Sequence, residues 1–134
     1  LGPERAEREG YVWRSLLDAG ARLCNGTDAA VEPISPLLNL YTAVTRRDED
    51  GRLAEPLFPA QCMTRDEALA SVTVDGAYAA FEEESRGRLA QGFVADLTAT
   101  SVDPLTCPVA ELLTARVLLT IVDGRVVFDA SARD

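Results

Sequence analysis

Asp28 is the residue best placed to do chemistry. It follows the short apolar-centred run Ala21-Arg-Leu-Cys-Asn25 and sits among small residues, between Gly26-Thr27 and Ala29-Ala30. In parallel α/β folds, ligands and catalytic groups collect at the carboxyl ends of strands. A turn aspartate capping local backbone is the commoner use of such a residue, and position alone leaves both readings open. The other acidic clusters offer less. Asp48-Glu-Asp-Gly51 looks superficially like a calcium loop but lacks the alternating oxygen ligands and the terminal glutamate, so it reads as a solvated loop. Glu82-Glu83-Glu84 reads as a solvated helix end. Cys24, Cys62 and Cys107 are odd in number and far apart, with no Cys-x-x-Cys spacing. They read as bystander thiols in a reducing compartment, so a cytoplasmic location is expected.

What is missing narrows the chemistry further. All 13 basic residues are arginine, and histidine is absent. Histidine general bases, Ser-His-Asp and Cys-His nucleophile systems, Schiff-base lysines and histidine metal ligands are therefore excluded from this chain. No Gly-x-Gly-x-x-Gly, phosphate loop or Gly-x-Ser-x-Gly elbow occurs. A net charge of −9 argues against a nucleic-acid partner, which needs a basic surface. No apolar stretch approaches the roughly 20 residues that span a bilayer, and residues 1–10 carry no apolar signal core, so no membrane partner is expected.

These residues need elements to hold them. At 134 residues the chain is one domain at most. Residues 3–19 read as a helix, with Pro3 in its first turn and Gly20 as its stop. Residues 21–25 read as a buried strand. Ser35 can cap a helix that starts at Pro36 and carries an apolar stripe, Leu37, Leu38, Leu40, Tyr41 and Val44, up to Arg46. Residues 47–63 form a long connection of the kind that is usually functional or mobile. Thr64-Arg-Asp-Glu67 is a capping box that opens a helix to about Val72. A further helical stretch covers 76–81, after a break near Asp75. The pattern then changes to period 2: a strand over 93–98, a short helix over 108–113, and a hairpin of 116–122 with 125–129 around Asp123-Gly124. The order is odd, because one short strand among helices cannot build a sheet alone.

Taken in order, the segments Tyr11-x-Trp13-Arg-Ser-Leu-Leu-Asp18, Gly20-Ala-Arg-Leu23, Gly26-Thr-Asp-Ala29 and Val31-Glu-Pro33 resemble the last barrel strand of amidohydrolase-superfamily enzymes. The nearest group is the metal-dependent hydrolases of amidohydrolase family 3, which include N-substituted formamide deformylases. The likeness continues through Tyr41-x-Ala-Val-Thr-Arg46, Thr64-Arg-Asp-Glu-Ala-Leu69, Ala77-Tyr-Ala-Ala-Phe-Glu82, Gly87-x-Leu89 and Ala95-Asp-Leu97 to Thr120-Ile-Val-Asp-Gly-Arg-Val-Val127. Ala30, where the family often has proline, and Leu97-Thr-Ala-Thr100, where a more apolar strand is usual, depart from it.

The resemblance implies an α/β fold: the C-terminal fragment of a TIM-barrel amidohydrolase, holding the last barrel strand and its helices, followed by strands of the small β-sandwich. A barrel alone takes about 250 residues. Residues 1–85 would belong to the barrel and 86–134 to the sandwich. By the same resemblance Asp28 is both the catalytic carboxylate and a residue on or beside a divalent metal, zinc, in the full-length parent. No metal is expected in the isolated chain, which would be inactive. The parent's substrate would be a small-molecule amide, cleaved at a non-peptide C–N bond. The alternatives are a non-catalytic module that oligomerises with itself, and the C-terminal half of a split hydrolase completed by a separate N-terminal chain.

Overall fold

A computed structural model describes residues 2–50, 52–53 and 55–133. The helix expected over 3–19 is two helices, α1 (Pro3–Glu9) and α2 (Trp13–Asp18). Between them the Gly10 N–H bonds the Ala6 carbonyl at 2.7 Å, and Tyr11 adopts a left-handed φ of 54°. The stop at Gly20 is as expected: its N–H bonds the Leu17 carbonyl at 2.9 Å and the Ala21 N–H bonds the Leu16 carbonyl at 3.0 Å. These two bonds satisfy the last turn of α2.

Residues 21–25 form no strand. They run as an extended strap whose Asn25 N–H bonds the Ser71 carbonyl at 3.0 Å. A strand exists only where a neighbour completes its ladder, and none lies alongside among the described residues.

α3 (Pro36–Thr45) starts where the sequence says, with the Ser35 hydroxyl accepting from the Leu38 N–H. The connection that follows includes a 3₁₀ turn, Pro59–Gln61; Gly51, within the calcium-loop lookalike, lies outside the described residues. α4 (Arg65–Ser71) carries both halves of the Thr64–Glu67 capping box. α5 (Val74–Ala79) follows it, with the break at Val72–Thr73 rather than near Asp75. Leu37, Leu40, Tyr41 and Ala43 of α3 meet Met63, Ala68 of α4 and Leu112 in one core. Leu112 comes from a 3₁₀ turn, Val109–Leu113, in place of the short helix expected there. No described helix is long and apolar enough to cross a membrane.

The strands form one antiparallel sheet in the order β1 (Leu97–Thr100), β2 (Val117–Val122), β3 (Arg125–Asp129). β1 starts four residues later than the alternation suggested. Up to that point the chain follows local ties, the Val94 N–H to Ser85 and the Asp96 N–H to Val94. The hairpin turn is as expected, with Asp123 and Gly124 at φ 50° and 74°, the doubly positive geometry of a two-residue loop. Asp96 Oδ1 accepts from the Asp123 N–H at 2.8 Å, and the Gly124 N–H bonds the Ala95 carbonyl at 3.0 Å, so the turn is docked to the chain before β1.

Candidate functional site

Asp28 stands in the turn that ends the 21–27 strap. Its φ is 50°, and its carbonyl accepts from the Val31 N–H at 2.8 Å. The backbone therefore makes the turn. The carboxylate is exposed, and among the described residues no donor reaches it, so it is not spent on capping its own loop.

A groove of about 300 Å³ opens beside this turn. Gly26, Thr27 and Glu32, residues of α3, and Asp48, Glu49 and Arg52 all line it. Asp28 itself is not in the lining; it lies in sequence between the lining residues Thr27 and Glu32.

The Asp48–Arg52 lining has its own organisation. Asp48 Oδ1 accepts from the Leu53 N–H at 3.0 Å, while Oδ2 accepts from the Arg52 N–H at 2.9 Å and from Arg52 Nε at 3.1 Å. The Leu53 N–H first, and Arg52 with it, hold the Asp48 carboxyl below the usual carboxylate range. Arg52 also pairs with Asp50 at 3.2 Å. Asp48 and Asp50 of the segment that looks like a calcium loop thus both hold an arginine.

Sequence reasoning singled out neither Arg46 nor Arg14, and read Glu67 only as part of its capping box. Arg46 is only 4% exposed, with its guanidinium carbon 4.3 Å from the centre of the Trp13 ring. The apolar stripe that runs straight into Arg46 was the available signal. Arg14 grips Glu67 with both guanidinium nitrogens and ties α2 to α4. The thiols do not converge: Cys24 is exposed, while Cys62 is half-buried and pushed up by that burial against the pull of Arg46. Among the described residues no three Cys, Asp or Glu side chains come together as a metal site would require.

The profile of the Amidohydrolase family matches residues 1–128. A Bacillus subtilis (strain 168) protein named as an amidohydrolase, YtcJ, is 30% identical over 131 residues, which is 98% of this chain and 25% of that one. The N-substituted formamide deformylase of Arthrobacter pascens is 37% identical over 111 residues, 83% of this chain and 20% of that one. The crystal structure of an amidohydrolase from Thermotoga maritima MSB8 superposes with a TM-score of 0.65 at 20% identity, covering 89% of this chain and 26% of that one. The chain thus spans a fifth to a quarter of the length of these relatives. With nearly every residue inside the family profile and the same fold in the Thermotoga amidohydrolase, this chain belongs to the amidohydrolase family.

Proposed function

We propose that this chain supplies one wall of an active centre that hydrolyses non-peptide C–N bonds of the amide or formamide type, with Asp28 as its acid–base carboxylate. The observation that carries the reading is the Asp28 carboxylate, exposed and without a donor in the turn between the groove-lining residues Thr27 and Glu32. Family membership and the 37% identity to a formamide deformylase support the bond type. In the proposed step, water adds to the carbonyl carbon while Asp28 takes its proton. The carboxylic acid then returns that proton to the departing nitrogen as the C–N bond breaks. A carboxylate in reach of both atoms serves as base and then acid.

The resemblance also implies a divalent metal, zinc. The described residues do not fit one by themselves, because a bound metal needs three or four converging ligands and no three Cys, Asp or Glu side chains among them come together. The chain on its own would accordingly be inactive, and the other ligands would come from residues outside it. Asp28→Asn in a full-length enzyme carrying this segment should lower turnover by about 10²–10⁴-fold, since an amide fills the same space but takes no proton. Near-normal turnover in that variant would return Asp28 to a turn residue.

A second reading, assembly of the chain with a copy of itself, is favoured by β3. No strand lies beyond it among the described residues, and Val126 and Val127 are 59% and 60% exposed. Apolar strand edges of this kind are templates for pairing.

A further inference from the structure

We infer that Arg46 is a positioning residue: it anchors the base of the 47–56 loop to the core and so holds the Asp48–Arg52 wall against the groove beside Asp28. The inference rests on the reading of that groove as part of the active centre.

Burying a guanidinium is unfavourable unless its donors are met. Arg46 is buried at the end of α3, and its Nη2 has no partner. It also caps α3 from the left-handed region, at φ 57°. An apolar residue would serve the core as well or better, so the arginine is there for something other than core stability.

The contacts it does make all fall on the loop base and the aromatic wall behind it. Arg46 Nε donates to the Leu57 carbonyl at 2.8 Å, and the Leu57 N–H donates to the Arg46 carbonyl at 2.9 Å. Residues 46 and 57 are therefore bonded twice, once through the side chain, and the loop between them leaves and returns at one point. The guanidinium lies over the Trp13 ring at 4.3 Å and faces the Tyr11 ring at 6.0 Å, which fixes its plane. Cation–ring attraction of this kind gains strength where water is excluded. Beyond the base, the Asp48 carboxylate gathers the Arg52 and Leu53 N–H groups. Asp48 shapes the wall, and Arg46 sets where the wall stands.

The test is limited proteolysis of the chain with a glutamate-specific endoproteinase, which none of the variants deprives of a site. Glu49 reports the loop, because Glu55 precedes Pro56 and that bond is not cut, and Glu82–Glu84 report a distant segment. Arg46→Met should raise the initial rate after Glu49 at least tenfold, with the rate after Glu82–Glu84 unchanged. Arg46→Lys keeps a cation and one donor to Leu57 and should stay within threefold of the unmodified chain at every site. Leu112→Ala, which opens the core, should raise all sites together. An unchanged loop in Arg46→Met, a rise shared equally by Glu82–Glu84, or a lysine variant as labile as methionine would each overturn the assignment. Asp28→Asn should leave the cleavage pattern untouched, so a failure of the active-centre reading appears in turnover alone and a failure of this one in the loop.

Discussion

Glu67→Gln would remove one charge from the joint between α2 and α4. Glu67 accepts from Arg14 Nη1 at 2.8 Å and from Nη2, and from the Thr64 N–H and hydroxyl at 2.7 and 2.8 Å. The Arg14 guanidinium, ahead of the Thr64 donors, draws its carboxyl down from 4.5 to about 2. Taken at face value that depression corresponds to about 3 kcal/mol of stability. The two side chains keep 25% and 31% of their exposure, so water and salt screen the pair, and about 1–2 kcal/mol is the magnitude to expect. The folded value lies below the unfolded one. The contribution is therefore fully present above about pH 5, more than half lost by pH 3, and nearly gone at pH 2. Urea unfolding of the unmodified chain and of Glu67→Gln at pH 7, 4, 3 and 2 measures it. The gap between the two should be about 1–2 kcal/mol at pH 7 and shrink steadily on acidification. Subtracting the variant removes the parallel losses from Asp48, Asp103 and Asp129, whose carboxyls are also held low. A gap that is independent of pH would refute the ionic account and leave only the shape of the capping box.

Three further outcomes follow from the packing. Leu112→Ala empties a site that is 1% exposed at the centre of the core and should cost about 2–5 kcal/mol, read as a fall in the urea midpoint. Gly87→Ala places a Cβ 2.9 Å from that of Ala77 and 3.0 Å from the Thr73 carbonyl oxygen, at a φ of +82°, and should destabilise by at least about 2 kcal/mol on the same assay. Light scattering at micromolar concentration should report about twice the 14.4 kDa chain mass if β3 pairs with a copy, and a clean monomer would rule that assembly out.

The parts of this fold written in local chemistry were legible without a structure. Ser35 before Pro36, the Thr64–Glu67 box and Asp123-Gly124 each solve a backbone problem within four residues, so neighbours in sequence suffice to reveal them. What escaped depends on distant partners. Residues 21–25 have the composition of a strand, but composition does not provide the neighbouring ladder. Tyr11 breaks the first helix where its ring packs edge-on against Trp13 at 6.4 Å, an arrangement that no helical periodicity announces. Arg46 follows an apolar stripe and would ordinarily extend its charge to water; only the fold shows Trp13 and Leu57 enclosing it. Asp28 was picked out by position and resemblance, while the groove beside its turn is lined in part by Asp48 and Arg52, whose mutual hydrogen bonds no local pattern announced.

The core is closed by a residue that arrives late. α3 presents Leu37, Leu40 and Tyr41, yet the side chain that seals them, Leu112, lies far along the chain. On a ribosome adding about 5–20 residues per second, α3 emerges several seconds before its plug does. During that interval its apolar face is a nascent surface open to chaperones and to neighbouring nascent chains. Contacts of such long sequence separation also slow folding, because a large loop must close before they form. Rate constants rather than affinities are therefore where this topology would show itself. Perturbations at Leu112 should act mostly on unfolding if the α3–α4 pair nucleates first, and on folding if the plug is part of the nucleus.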